Sequence, residues 1–205
     1  MIPPVFQPFP KISRLNRDIV ISEKIDGTNS AIQIVPCYSN DLPESPWIAR
    51  VNIEGTLYRV AAQSRKRLIT PQSDNFGFAR WVHENARALA VLLGEGTHFG
   101  EWWGSGIQRG YGLENGDKRF SLFNRGRWNH ENTEGVEGLS VVPVMYEGPM
   151  DTNAISTMLE YLSEQGSMAA PGFMKPEGIV IYHTAARGMF KVTLENDERA
   201  KGSNE

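Results

Sequence analysis

Residues Ser22 to Asn29 read SEKIDGTN. They separate two apolar, β-branched runs, Ile19-Val20-Ile21 and Ala31-Ile32-Gln33-Ile34-Val35, whose residue types suit β-strands. Asp26-Gly27 is a dipeptide of tight hairpin turns, and a plain hairpin would keep its charges at the tip and outside. Lys24 departs from that pattern, because it falls where a strand should still be packing. What Lys24 does there decides the reading of the chain.

The chain has 205 residues, 40% of them hydrophobic and 22% charged, an ordinary balance for a globular protein with a sizeable core. A single domain over 1–205 is expected, because no Pro/Gly/Ser linker divides the sequence and no internal repeat is present. No apolar run is long enough to span a bilayer, and MIPPVFQPFPKISRL at the N-terminus lacks a signal-peptide pattern. Cys37 is the only cysteine, which rules out an internal disulfide or a cysteine metal cluster and suits a reducing, cytoplasmic setting. The net charge of −3 argues against a general coat of nucleic acid. It leaves room for local basic clusters at Arg65-Lys66-Arg67, Lys118-Arg119 and Arg125 with Arg127. His83, His98, His130 and His183 show no metal-ligand spacing and read as structural.

Along the chain, residues 36–55 carry Pro, Ser, Asn and Asp and read as a long loop or surface excursion. Leu57 to Gln63 reads as a strand. Phe78, Val82, Ala86, Leu89 and Leu93 recur at helical spacing, which predicts one helix from Asn75 to Leu93 with Gly94 as its stop. Thr97–Trp103, Lys118–Asn124, Leu139–Tyr146, Glu177–His183 and Met189–Leu194 read as further strands. A second helix is predicted over Thr152–Glu164, capped by Asp151 or Thr152. The tail ENDERAKGSNE is polar and expected to fray. Many strands with two inserted helices, and no regular βαβ alternation, imply an α+β fold with antiparallel sheets flanked by helices.

Four strand-like stretches place a lysine or glutamate in otherwise apolar surroundings, mostly beside glycine. They are Glu23-Lys24-Ile25-Asp26-Gly27, Gly100-Glu101-Trp102-Trp103-Gly104, Glu177-Gly178-Ile179-Val180-Ile181 and Phe190-Lys191-Val192. Glycine admits close approach of a backbone or ligand. Buried charges are costly unless paired or functional. Two lysines and two glutamates converging on one groove would suit a polyanion with a metal. Nearby cations or desolvation would activate a lysine as a nucleophile, and a carboxylate would hold Mg²⁺. Trp102 and Trp103 are neighbours on one strand, so one is expected in the core and the other facing the groove.

The set resembles the ordered motifs of the covalent nucleotidyltransferases, which comprise ATP-dependent ligases and mRNA capping enzymes. Lys24-Ile25-Asp26-Gly27 is similar to the KxDG nucleophile motif. Gly100-Glu101, FSLFN at Phe120–Asn124, Glu177-Gly178-Ile179-Val180 and Phe190-Lys191-Val192-Thr193 are similar to motifs III, IIIa, IV and V, in that order. Ser64-Arg65 fits the arginine segment after motif I. EKIDGTN and FGEWWGSGIQRGYG further resemble the extended motifs I and III of RNA ligases. The likeness covers about residues 19–195.

The resemblance implies a nucleotidyltransferase (ligase adenylation) domain with a nucleotide groove between its sheets. The implied activity is ATP-dependent sealing of RNA 5′-phosphate and 3′-hydroxyl ends through a lysyl-AMP intermediate. The cofactors would be ATP and Mg²⁺ (or Mn²⁺). Lys24 would carry AMP. Glu101 would bond the ribose hydroxyls, and Phe123 would stack on adenine, with Phe120 the second choice. Glu177 would serve the metal, Lys191 the α-phosphate, and Arg65 and Asn29 phosphate, sugar or the polynucleotide end. Glu23 would lie near the base, and Asp26 would position the 3′-hydroxyl or the metal. Two departures stand out. Thr193 occupies a motif V position that is often lysine, and FSLFN ends in Asn124 where Asp is usual. The sequence also ends soon after motif V, so no separate C-terminal domain is expected; the domain would act alone on RNA ends, need a partner protein in its place, or have lost part of the pathway. The alternatives are a DNA ligase, a capping-type enzyme, or a domain that binds nucleotide or RNA ends without sealing.

Overall fold

The computed structural model describes residues 4–38 and 46–195. The strands β1 (Asp18–Lys24) and β2 (Thr28–Pro36) form where their β-branched runs predict, but they do not pair with each other. SEKIDGTN is not a hairpin. It is the passage from one sheet to another.

The smaller sheet contains β1, β9 (Val144–Pro149), β10 (Gly178–His183) and β11 (Gly188–Thr193), in the order β11-β10-β1-β9 and antiparallel throughout. The larger sheet contains β2, β3 (Ala49–Ile53), β4 (Thr56–Ser64), β6 (Gly96–Gly104), β7 (Lys118–Leu122) and β8 (Leu139–Val141), in the order β3-β4-β2-β6-β7-β8. The short β5 (Leu68–Ile69) pairs with β4. These pairs are antiparallel except β7 with β8, which is parallel. The α+β architecture of mainly antiparallel sheets is the one the element order predicts.

Several boundaries differ from the sequence expectation. Ala49–Ile53 within the expected loop is strand β3, turning into β4 through Glu54 and Gly55, whose φ values are 49° and 87°. Asn52 Oδ1 accepts a hydrogen bond from Gly55 N at 3.0 Å and braces that turn. The remainder of that loop, 39–45, and the tail from 196 lie outside the described residues. The helix expected over Asn75–Leu93 is two helices, α1 (Phe78–Glu84) and α2 (Ala86–Leu93). The break falls at Asn85, whose side-chain amide donates to Trp81 O at 2.9 Å and competes with regular helical bonding. The strand expected over Leu139–Tyr146 divides at Pro143, which has no N–H to donate. Its first part stays in the larger sheet as β8 and its second joins the smaller sheet as β9.

Each sheet buries one face under helices. Ile32, Ile34, Val60, Ala62, Trp102, Phe120 and Leu122 meet Phe78, Val82, Leu89 and Leu93 of α1 and α2. Ile19, Ile21, Ile179 and Ile181 meet Leu162 of α3 (Thr152–Gln165). Asp151 caps α3 by accepting from Asn153 N at 2.8 Å.

Among the described residues the chain passes between the sheets at Ile25-Asp26-Gly27 and again at Val142-Pro143. A third buried cluster sits at this seam. It contains Ile25 and Val142, one from each passage, with Trp103, Tyr111 and Ala170. Glu23 N donates to Pro143 O at 3.0 Å and ties the two passages together.

Gly27 is required by this close approach. A Cβ there would overlap the Trp102 carbonyl oxygen and lie 2.8 Å from Trp103 Cβ. Gly27→Ala is therefore expected to lower stability by about 1–3 kcal/mol through overpacking. Gly126→Ala, whose Cβ would meet only Asn124 Oδ1 at 3.5 Å, should stay within about 0.5 kcal/mol of wild type. Urea unfolding of both variants checks the comparison.

Candidate active site

Side chains alternate across β1. Ile19, Ile21 and Glu23 are buried on one side, and Lys24 projects from the other. Lys24 ends the strand opposite Gly178 on β10, which places it next to Glu177. Lys24 Nζ donates to Glu177 Oε2 at 2.5 Å, with side-chain exposures of 20% and 4%. Gly178 is in turn opposite Thr193, and the row Ser22–Val180–Lys191 runs beside that one. Pleating thus puts Lys24, Lys191 and Thr193 on one face of the smaller sheet. Lys191 is exposed on it.

The larger sheet supplies the opposite side. On β6, Glu101 is flanked by Asn29 on β2 and Ser121 on β7. Arg65 directly follows β4, whose last residue pairs with Ser30, so it continues the row of Asn29 and Glu101. Glu101 Oε1 accepts from Gly27 N at 3.1 Å, so the carboxylate also fastens the passage between the sheets. Burial pushes the Glu101 carboxyl up to about 7. Lys24 and the Gly27 N–H oppose that rise, and the negative charges of Glu177 and Asp26 add to it.

Asp26, between Lys24 and Gly27, is held at two points. Its N–H donates to the Tyr111 hydroxyl at 2.8 Å, and its Oδ2 accepts from Arg109 Nε at 3.3 Å. Burial raises the Tyr111 hydroxyl above its ordinary value. From sequence Arg109 reads either as an RNA phosphate contact or as a solvated surface charge, and Tyr111 carries no distinguishing pattern of its own. The signal was the run QRGYG, in which turn-forming glycines flank an arginine and a tyrosine.

Phe123 follows β7, and its N donates to Phe99 O at 3.0 Å. Strand alternation puts its ring on the Glu101 face, 37% exposed. Phe120, the second choice for adenine, is fully buried on the helix side, 4.9 Å from Phe78. It has no open face for a base. The expectation for the tryptophans is likewise corrected, because both are buried. Trp102 lies in the helix-side core, and Trp103 lies in the seam, donating from Nε1 to Ser121 Oγ at 2.8 Å.

Glu23, expected near the base, is engaged within the fold. Its carboxylate points away from Lys24 and accepts from Ser167 Oγ at 2.6 Å, Met168 N at 2.8 Å and Ala169 N at 2.9 Å. It latches the turn after α3. Burial raises its carboxyl above the ordinary value, and these three donors oppose the rise. Arg67 and Arg127 are used within the fold: Arg67 donates to Ser73 O, and Arg127 donates to Leu93 O.

Among the described residues no group of three or more His, Cys, Asp or Glu could hold a metal ion. Mg²⁺ is commonly held by one or two carboxylates together with substrate phosphates. Glu177 suits that mode as a hard oxygen donor on the Lys24 face. Asp26, the other expected metal ligand, has one carboxylate oxygen paired with Arg109. Among the described residues no helix is long and apolar enough to cross a membrane.

A family model described as RNA ligase matches residues 17–198. No curated protein sequence matches the chain. Similar solved structures include a Naegleria gruberi RNA ligase mutant with AMP and Mn, at TM-score 0.57 and 14% identity over 87% of this chain and 50% of that one. A mutant of the same ligase with ATP and Mn gives a TM-score of 0.55 and 14% identity over 87% and 49%. An apo mutant gives 0.54 and 14% over 87% and 50%. The chain spans about half the length of these ligases. At this identity the likeness establishes the shared fold.

The Glu101 carboxyl gives a pH prediction. A carboxyl raised in the folded state adds stability that is fully present below its unfolded value near 4.5 and is lost as pH rises through about 7. Glu101→Gln, which keeps an acceptor for Gly27 N, should match wild type near pH 4.5. By pH 8 it should be more stable by on the order of 1–3 kcal/mol. Thermal unfolding across that range measures the divergence.

Proposed function

This chain belongs to the RNA ligase family, and from that premise we propose that it joins RNA 5′-phosphate and 3′-hydroxyl ends using ATP, through AMP bound covalently to Lys24. The observation that carries this reading is the Lys24–Glu177 pair at the point where the chain leaves one sheet for the other. The ammonium there is partly desolvated and is held in place by a buried carboxylate.

Lys24 Nζ, once neutral, attacks the α-phosphorus of ATP. Its first ammonium proton has gone to solvent; a P–N bond forms, the bond to pyrophosphate breaks, and the second Nζ proton leaves with the pyrophosphate, so Glu177 stays ionised. Glu101 bonds the ribose hydroxyls, and Phe123 offers its exposed ring to adenine. Lys191 neutralises the α-phosphate, while Arg65 and Asn29 meet the sugar, phosphate or RNA end. A divalent ion, Mg²⁺ or Mn²⁺, would be held by Glu177 with the phosphates and would neutralise charge on the phosphate oxygens. The 5′-phosphate of RNA then takes AMP from Lys24. The RNA 3′-hydroxyl attacks the resulting phosphoanhydride, expels AMP and leaves a phosphodiester. Asp26, fixed by Arg109 and Tyr111, sets the direction of the passage that carries Lys24. A cytoplasmic setting, which holds both ATP and RNA, suits this reaction. The ATP, AMP and Mn in the Naegleria ligase structures support nucleotide and metal as ligands.

Thr193 favours a second reading, a domain that binds nucleotide or RNA ends without sealing them, because it adds no cation opposite Gly178.

Incubation with ATP labelled at the α-phosphate and Mg²⁺, followed by a denaturing gel, separates the two. The expected result is a covalent label that Lys24→Ala loses by at least about 1,000-fold, since the nucleophile itself is removed. Labelled product from nicked RNA should follow, with little from GTP or nicked DNA. Folded wild-type protein that takes no label, and that intact mass shows is not already adenylated, would overturn the ligase reading in favour of the binding domain.

A further inference from the structure

The segment between β6 and β7 carries none of the groups assigned above to substrate, yet two of its residues end on Asp26. Arg109 donates from Nε to Asp26 Oδ2 at 3.3 Å, and the Tyr111 hydroxyl accepts from Asp26 N at 2.8 Å. The other guanidinium nitrogens reach two further segments. Nη1 donates to Lys175 O at 3.0 Å, two residues before Glu177, and Nη2 donates to Glu195 Oε2 at 3.4 Å, two residues after Thr193. One side chain therefore joins the segments that carry Lys24, Glu177 and the Lys191 strand.

Tyr111 holds a costly conformation to take part. Its φ is 53°, in the left-handed region that bulky residues rarely adopt. Such strain persists where surrounding packing over-determines it. Here the ring is buried, edge-on to Trp103 at 5.2 Å and 4.6 Å from Phe173.

We propose that Arg109 is a positioning residue that acts through Asp26 to hold the Lys24 passage in register with the Glu177 and Lys191 strands. The proposal rests on the lysyl-AMP reading of the site. A guanidinium is suited to the task because its planar fork can serve three acceptors in fixed directions. A lysine would retain the charge opposite Asp26 but would not hold all three segments. Displacing a reactive group by about 1 Å can cost on the order of 100-fold in rate, so the clamp matters more to the chemical step than to ATP binding.

Wild type, Arg109→Lys, Arg109→Ala and Tyr111→Phe would be compared in the full chain. Two readouts are single-turnover lysyl-AMP formation over a range of ATP concentrations and backbone amide exchange at 25–27. Arg109→Ala should slow the saturated rate by about 10–100-fold while the ATP concentration for half-saturation moves less than about 3-fold. Arg109→Lys should fall between it and wild type. Amides at 25–27 should exchange faster in Arg109→Ala and Tyr111→Phe, with protection in β4 and β10 unchanged. A saturated rate within twofold of wild type overturns the proposal. So does a loss confined to ATP affinity, which would make Arg109 a phosphate contact. If wild type itself forms no adduct, the ligase reading fails, and the exchange data decide the clamp separately. Unchanged protection at 25–27 in both Arg109→Ala and Tyr111→Phe would then overturn it.

Discussion

The sheets meet through two short passages, and packing at those passages sets where every reactive group can point. Ile25 and Val142 bury themselves against Trp103, Tyr111 and Ala170. Gly27 lies so close to the Trp102 backbone that a side chain would not fit. Close-packed interiors transmit small displacements rather than absorb them. The seam therefore fixes the end of β1 against β6, and with it Lys24 against Glu101. Two sheets joined by a looser connection would have equal cores and no defined groove.

The electrostatics of the groove follow from the same seam. Glu101 feels the negative charges of Asp26 and of the buried Glu177, with Lys24 and Arg109 as the nearby cations. Partly desolvated carboxylates cost stability unless each has a partner, and each has one here. Glu177 has Lys24, Asp26 has Arg109, and Glu101 has the Gly27 N–H. With its carboxyl pushed up to about 7, Glu101 divides between charged and neutral forms near neutral pH. Glu23 is one residue from Lys24 and faces the opposite way, where a turn supplies three donors. Adjacent residues of one motif thus serve unrelated purposes, because a strand sends successive side chains to opposite faces.

Much of this was legible in the residues. The strand runs, the α+β class, the Asp151 cap and the ordered motifs around Lys24, Glu101, Glu177 and Lys191 all rest on local patterns of residue type. Local patterns also misled. The helical spacing of Phe78 to Leu93 is continuous across Asn85, although that side chain breaks the helix. Leu139 to Tyr146 reads as one strand because its apolar residues continue past Pro143. Phe120 and Phe123 look alike in sequence, and only the register of β7 with β6 separates a core ring from an exposed one.

By itself the sequence determined most of the segments that extend or coil, and which few charged residues sit in apolar surroundings, since these follow from side-chain chemistry within a few residues. Only the tertiary structure decided that SEKIDGTN connects two sheets, that Glu177 stands beside Lys24 across 153 residues, and that Arg109 gathers three distant segments. Such contacts depend on strand order and register. These are set by how the whole set of apolar faces packs together, and no short stretch of sequence carries that information.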